Sequence, residues 1–227
     1  MMPAARALLH RMRAAVAAAV FLLAVVPSSG AARADDAAPA AAADAGLSDL
    51  RERIAAAPVL RGEFTQEKHV EGFRNPLRSS GRFLMARSHG VLWQTLAPFP
   101  SEMVLTRDRI LSRQEDGTTR VEMDSRQQPA LRTINAVMFA LMGGDVAVLA
   151  ERFEAKATLS PQGDWRLVLV PRADAIAQAF ERVTLEGDRH VRRVEMNDRG
   201  GDRTVLVFSN LLEEPADLTD DEARRFE

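Results

Sequence analysis

The chain has 227 residues, with 30 basic and 32 acidic side chains, four histidines and neither cysteine nor tyrosine. The lack of cysteine excludes disulfides, thiol catalysis and attachment of a lipid to an N-terminal cysteine. The mildly acidic balance argues against nucleic acid as a partner, because a nucleic-acid-binding chain of this size is expected to be basic.

The first residues read as an export signal. Arg6, Arg11 and Arg13 make a basic start, and Ala14 to Val26 is an uninterrupted apolar run, too short with its flanks to span a membrane. Pro27-Ser28-Ser29-Gly30 breaks the run, and Ala32-Arg33-Ala34 places small residues before a cut at Asp35. The three parts in that order predict a signal peptide over residues 1–34 and a periplasmic protein. Its removal leaves 26 basic and 32 acidic side chains. Residues 35–46, mostly Ala, read as a flexible lead-in. Residues 47–212 then fit one domain with a substantial core, and 213–227 read as an acidic tail containing Pro215.

Ser48 reads as the cap of a short helix carrying Leu50 and Ile54. Alternation then predicts strands at Gly62–Val70, Leu77–Ala86, Val91–Thr95, Glu102–Thr106, Ile110–Arg113 and Thr119–Asp124. Pro98-Phe99-Pro100 and charged turns such as Glu115-Asp116-Gly117 separate them. From Leu131 to Leu149 the apolar spacing becomes helical, and Gly143-Gly144 splits it into two short helices. Strands resume at Phe153–Leu159, Trp165–Val170, Glu181–Leu185, His190–Met196 and Thr204–Phe208, joined by hairpin turns at 161–164, 186–188 and 199–202. Ala173–Ala179 reads as a helical turn. The result is a mainly β chain of the α+β kind, an antiparallel sheet with a few short helices.

Chemistry is sparse. Beyond the signal, His69, His89 and His190 fall on separate strands or turns. Glu67, His69 and Glu71 alternate on one strand face, but no second ligand cluster accompanies them, and a solvated face accounts for the pattern. Asp198 and Asp202 flank a Gly-Gly turn, where turn chemistry explains them without calcium. No nucleophile elbow, zinc-binding H-E-x-x-H or phosphate loop occurs. The sequence therefore predicts no catalytic residue, metal or cofactor.

Ser48-Asp49-Leu50, Phe64-Thr65-Gln66, Gly81, Arg87 and Trp93 have the order and spacing of the periplasmic outer-membrane lipoprotein carriers, and the chain resembles that LolA family. The resemblance implies a single curved antiparallel sheet forming a half-barrel, covered by a lid of about three short helices. It also implies a monomeric carrier that does no chemistry and shields acyl chains from water. An inner-membrane lipoprotein-releasing ABC transporter would supply the cargo and an outer-membrane acceptor would receive it. On this reading Phe83, Met85, Val91, Trp93, Met103 and Leu105 line the hydrophobic cavity; on the residues alone they are equally an ordinary core. Met85, Met103, Met123, Met138, Met142 and Met196 suit a deformable lining.

Arg87 alone would be a solvated turn residue. The resemblance makes it a gate whose guanidinium bridges lid carbonyls, a task suited to five fixed N–H donors, with Ile54, Leu141, Met142 and Gly143 at the lid contacts. Departures from the family pattern are Ser88 in place of proline, Ser112-Arg113 in place of an aromatic cluster, and an extra residue in Pro98-Phe99-Pro100. These leave the cargo open between lipoproteins and another amphiphile, such as a glycolipid or polyene lipid. A lipoprotein-sensing regulator on the same scaffold is the third reading.

Overall fold

Eleven antiparallel strands form one open sheet in the computed structural model, which describes residues 46–113, 118–126, 130–172, 177 and 180–226. The predicted signal, the lead-in before residue 46, the Glu115-Asp116-Gly117 turn and, apart from residue 177, the Ala173–Ala179 turn lie outside these residues. The described residues all belong to the compact unit Ala34–Glu227. The strands are β1 (Val59–His69), β2 (Leu77–Ala86), β3 (Gly90–Ala97), β4 (Ser101–Leu105), β5 (Arg109–Arg113) and β6 (Thr119–Asp124) in the first half. The second half contributes β7 (Phe153–Leu159), β8 (Trp165–Pro171), β9 (Phe180–Gly187), β10 (Val191–Asp198) and β11 (Arg203–Leu212).

Each strand pairs with its sequence neighbour except where β11 closes beside β1, giving the order β6-β5-β4-β3-β2-β1-β11-β10-β9-β8-β7. Among the described residues the sheet is joined by the short helices α1 (residues 46–53), α2 (Ala130–Gly143), α3 (Val146–Arg152) and α4 (Asp220–Arg224). Among the described residues no helix is long and apolar enough to cross a membrane.

Several predicted boundaries shift. Ser48 stands inside α1 and is exposed, with Leu47 and Leu50 buried beside it, so it is not the cap. β1 starts at Val59 rather than Gly62, and β11 runs on to Leu212. The two extensions pair with each other across a bulge between Arg61 and Glu63. There Asn210 takes a positive φ of 51°, a conformation Asn tolerates better than most residues.

Side chains alternate across the sheet and separate two apolar clusters. The larger cluster joins the inner face of β1–β5 and β7–β11 to α1, α2 and α3, through Leu47, Leu50, Val137, Leu141, Met142, Val146 and Leu149. The smaller cluster lies on the outer face. Its row of directly opposed residues runs Leu84, Leu92, Val104, Leu111 across β2 to β5, and Leu218 and Phe226 cover it.

The acidic segment after Glu213 is therefore a docked strap. Arg61 Nε and Nη2 donate to the two Glu222 carboxylate oxygens at 2.7 Å, and Arg61 also reaches the Pro215 and Asp217 carbonyls. Arg113 donates to the Arg225 carbonyl at 2.8 Å, and Arg225 pairs with Glu102. Thr219 and Glu222 form a reciprocal capping box at the start of α4, satisfying two otherwise orphaned backbone N–H groups. The outer face of β8–β11 carries a run of ion pairs instead. Arg166–Glu186, Glu186–Arg193, Arg193–Glu195 and Glu195–Arg203 pair in succession, and Arg203, then Arg193, draw the Glu195 carboxyl down to about 2.

Candidate functional site

The six residues expected to line a cavity fall on the inner face in two opposed rows. One runs Leu60, Met85, Val91, Leu105, Ile110 across β1 to β5. The other runs Gly62, Phe83, Trp93, Met103, Ser112. Phe83, Met85, Val91 and Leu105 are buried, while Trp93 and Met103 are partly exposed against the same cluster. The register brings them together because strand parity is a local property and these hairpins pair in register.

An aromatic group lies at the centre. Trp93 stacks on Phe64 with ring centroids 3.8 Å apart, and Phe208 meets Phe83 edge-on at 5.2 Å. Gly81 makes room for it. A Cβ there would lie 1.9 Å from the Gln94 carbonyl oxygen and 2.9 Å from the Phe64 ring, so the ring occupies the space a side chain would fill.

The helices are tied to one end of the sheet. Arg53 of α1 donates to the Ser160 carbonyl at 2.8 Å, and the Ala55 N–H to the Arg189 carbonyl at 2.8 Å. Arg87, in the turn between β2 and β3, donates from Nε to the Ala57 carbonyl at 3.0 Å and from Nη2 to the Gly143 carbonyl at 3.4 Å. One exposed guanidinium thus reaches the segment after α1 and the last residue of α2, the second bond being long. Leu141 and Met142 are buried in the cluster beneath. Ile54 packs where Gly144 turns at φ 65°; a Cβ on Gly144 would lie 2.7 Å from Ile54 Cγ2. The turn from α2 to α3 thus closes tightly over α1 because residue 144 is glycine.

The sequence reading missed Asn135. It is fully buried on α2, and its Nδ2 donates to the Thr106 carbonyl at 2.7 Å. The signal was a lone carboxamide in the apolar stretch after Thr133. Turn 188–190 also matters more than its sequence suggested, since it holds Ala55. Within it buried His190 lies 3.1 Å from Glu213. Burial keeps the His190 imidazole below its ordinary pKa, against the opposing pull of Glu213.

The polar strand groups are accounted for locally. Glu67 pairs with Arg78 at 2.8 Å and lies 3.8 Å from His69. Asp198 accepts the Gly200 and Asp202 N–H groups, and Asp202 accepts that of Glu71.

The family model described as outer membrane lipoprotein carrier protein LolA matches residues 56–222. The chain belongs to the LolA family. The outer-membrane lipoprotein carrier protein of Alkalilimnicola ehrlichii is 31% identical over 168 residues, covering 72% of each chain. That of Methylococcus capsulatus is 24% identical over 167 residues, covering 72% of this chain and 76% of its own. The crystal structure of a LolA superfamily protein from Nitrosomonas europaea is 12% identical and covers 79% of this chain and 96% of that one, with a TM-score of 0.44.

The LolA match extends past β11 to Glu222 in α4, so it takes in the strap up to that residue and not Arg225 or Phe226. The strap also bears on one departure from the LolA pattern. Arg113 stands where an aromatic residue was expected, and it holds the strap through Arg225. Its neighbour Ser112 faces inward beside Met103.

Proposed function

We propose that this LolA family member is a periplasmic carrier that encloses the acyl chains of lipoproteins between the inner face of the sheet and helices α1 and α2. It accepts its cargo from an inner-membrane ABC transporter and passes it, as a monomer, to an outer-membrane acceptor. The observation that carries the reading is Arg87, whose single guanidinium bonds the Ala57 carbonyl in the segment after α1 and the Gly143 carbonyl at the end of α2, above an apolar inner face. Burial of an acyl chain gains about 0.8 kcal/mol per methylene, on the order of 10 kcal/mol for one long chain. A carrier must return that free energy on delivery. Closure of α1 and α2 over Phe83, Met85, Val91, Trp93, Met103 and Leu105 offsets it, because the emptied site contracts onto its own apolar contacts instead of admitting water.

Transfer of lipoprotein from loaded protein to acceptor membranes tests the proposal. Arg87→Leu removes charged donors worth about 1.5–3 kcal/mol to the closed state. Loading should be retained or tightened and delivery should fail, with Arg87→Lys intermediate because it keeps the charge and loses the fork. Normal delivery by Arg87→Leu would reduce this arginine to a solvated turn residue and remove the main support for the gate.

A further inference from the structure

Asn135 is polar where α2 otherwise meets the inner face with apolar groups. Three, four and seven residues further along the helix stand Met138, Phe139 and Met142, all packed in or against the inner cluster, and such spacings share a helix face. The Thr106 carbonyl that receives Asn135 Nδ2 directly follows Leu105 of the inner row. The carboxamide therefore sits between α2 and the end of β4. Its Oδ1 is buried and accepts from no protein donor. Among the described residues two other buried side-chain atoms share that state, Glu102 Oε1 and Arg113 Nε. Those two residues are ion-paired with each other on the outer face, so Asn135 is the one example beneath the helices.

The Thr106 carbonyl accounts for the Nδ2 half of the amide, whereas Oδ1 is left as a buried acceptor without a protein donor, a cost that folded proteins ordinarily avoid. The retained half-satisfied amide points to a donor carried by the ligand. We infer that Asn135 Oδ1 accepts a hydrogen bond from the N–H at the root of a bound acyl chain, so that the site selects N-acyl amides over ester-linked acyl chains. The inference rests on the carrier reading and assigns the chemical class of the cargo within it. An amide places an N–H next to the first methylenes. An ester offers only acceptors there and leaves Oδ1 unpaired.

The test uses two hexadecanoyl probes that differ in one atom, N-hexadecanoylglycine methyl ester and its O-acyl glycolate counterpart. Each displaces an apolar fluorophore from the purified protein. The wild type should bind the amide about five- to tenfold more tightly, the range expected for one neutral hydrogen bond. Asn135→Leu should bind both alike, and Asn135→Ser serves if the leucine variant does not fold. A residue that only fastened α2 to Thr106 would shift both affinities together and leave their ratio unchanged. Equal affinities in the wild type, or a preference that survives in the variants, overturns the inference and leaves the carrier reading standing. Binding of neither probe overturns both.

Discussion

Glu222→Gln isolates the charge that fastens the C-terminal strap to the outer face. The two Arg61–Glu222 hydrogen bonds are 2.7 Å long, and the side chains are 17% and 20% exposed. Hydrogen bonding from Arg61 outweighs partial burial and holds the Glu222 carboxyl at about 2, against an ordinary value of 4.5. A shift of that size corresponds to at most ~3 kcal/mol, which solvent screening at this exposure reduces to roughly 1–2 kcal/mol. The folded-state pKa is the lower one. The contribution is therefore complete above the unfolded value near 4.5 and is lost as pH falls from there toward 2.

Glutamine keeps the length of the side chain and can still accept the Thr219 N–H of the capping box, so the substitution removes charge and leaves the cap. Urea unfolding at pH 7 should place Glu222→Gln about 1–2 kcal/mol below wild type, with the difference shrinking in high salt. The two proteins should converge as the pH drops below 4.5. Hydrogen exchange in α4 should quicken by roughly five- to thirtyfold at pH 7 if the strap opens by itself. A cycle with Arg61→Met would assign the effect to the pair. Equal stability and exchange at pH 7, or a difference unchanged at low pH, would refute the reasoning.

Phe226→Ala removes the ring that covers Leu92, Val104 and Leu111. The strap can lift away instead of enclosing a void, so the loss should be about 2–3 kcal/mol, below a typical core phenylalanine, and an apolar dye should bind the uncovered outer face; an unchanged denaturation midpoint and no added dye binding would count against it. Gly81→Ala forces a methyl toward the Gln94 carbonyl and the Phe64 ring, so it should cost more than ~3 kcal/mol or prevent folding; a wild-type melting temperature would contradict the packing described for Trp93 and Phe64.

The chain by itself determined which side chains share a face. Alternation in FLM at 83–85, VLW at 91–93 and MVL at 103–105 places Phe83, Met85, Val91, Trp93, Met103 and Leu105 together, because a period of two is written in consecutive residues. The break at Gly143-Gly144 and the turn at Arg87 are local in the same sense. The intervening residues Leu84, Leu92 and Val104 carried a second message, that the outer face is buried as well, but a strand cannot name what covers it. The cover is Phe226 and Leu218, in a segment that reads only as an acidic tail until Arg61, far away in sequence, meets Glu222. The pairing of β11 with β1 is likewise long-range. Asn135 is the sharpest case. Its type is visible in the sequence, but its meaning depends on the Thr106 carbonyl and on an oxygen left without a protein donor. Hydrogen-bond satisfaction is a property of the assembled interior, and only the tertiary structure decides it.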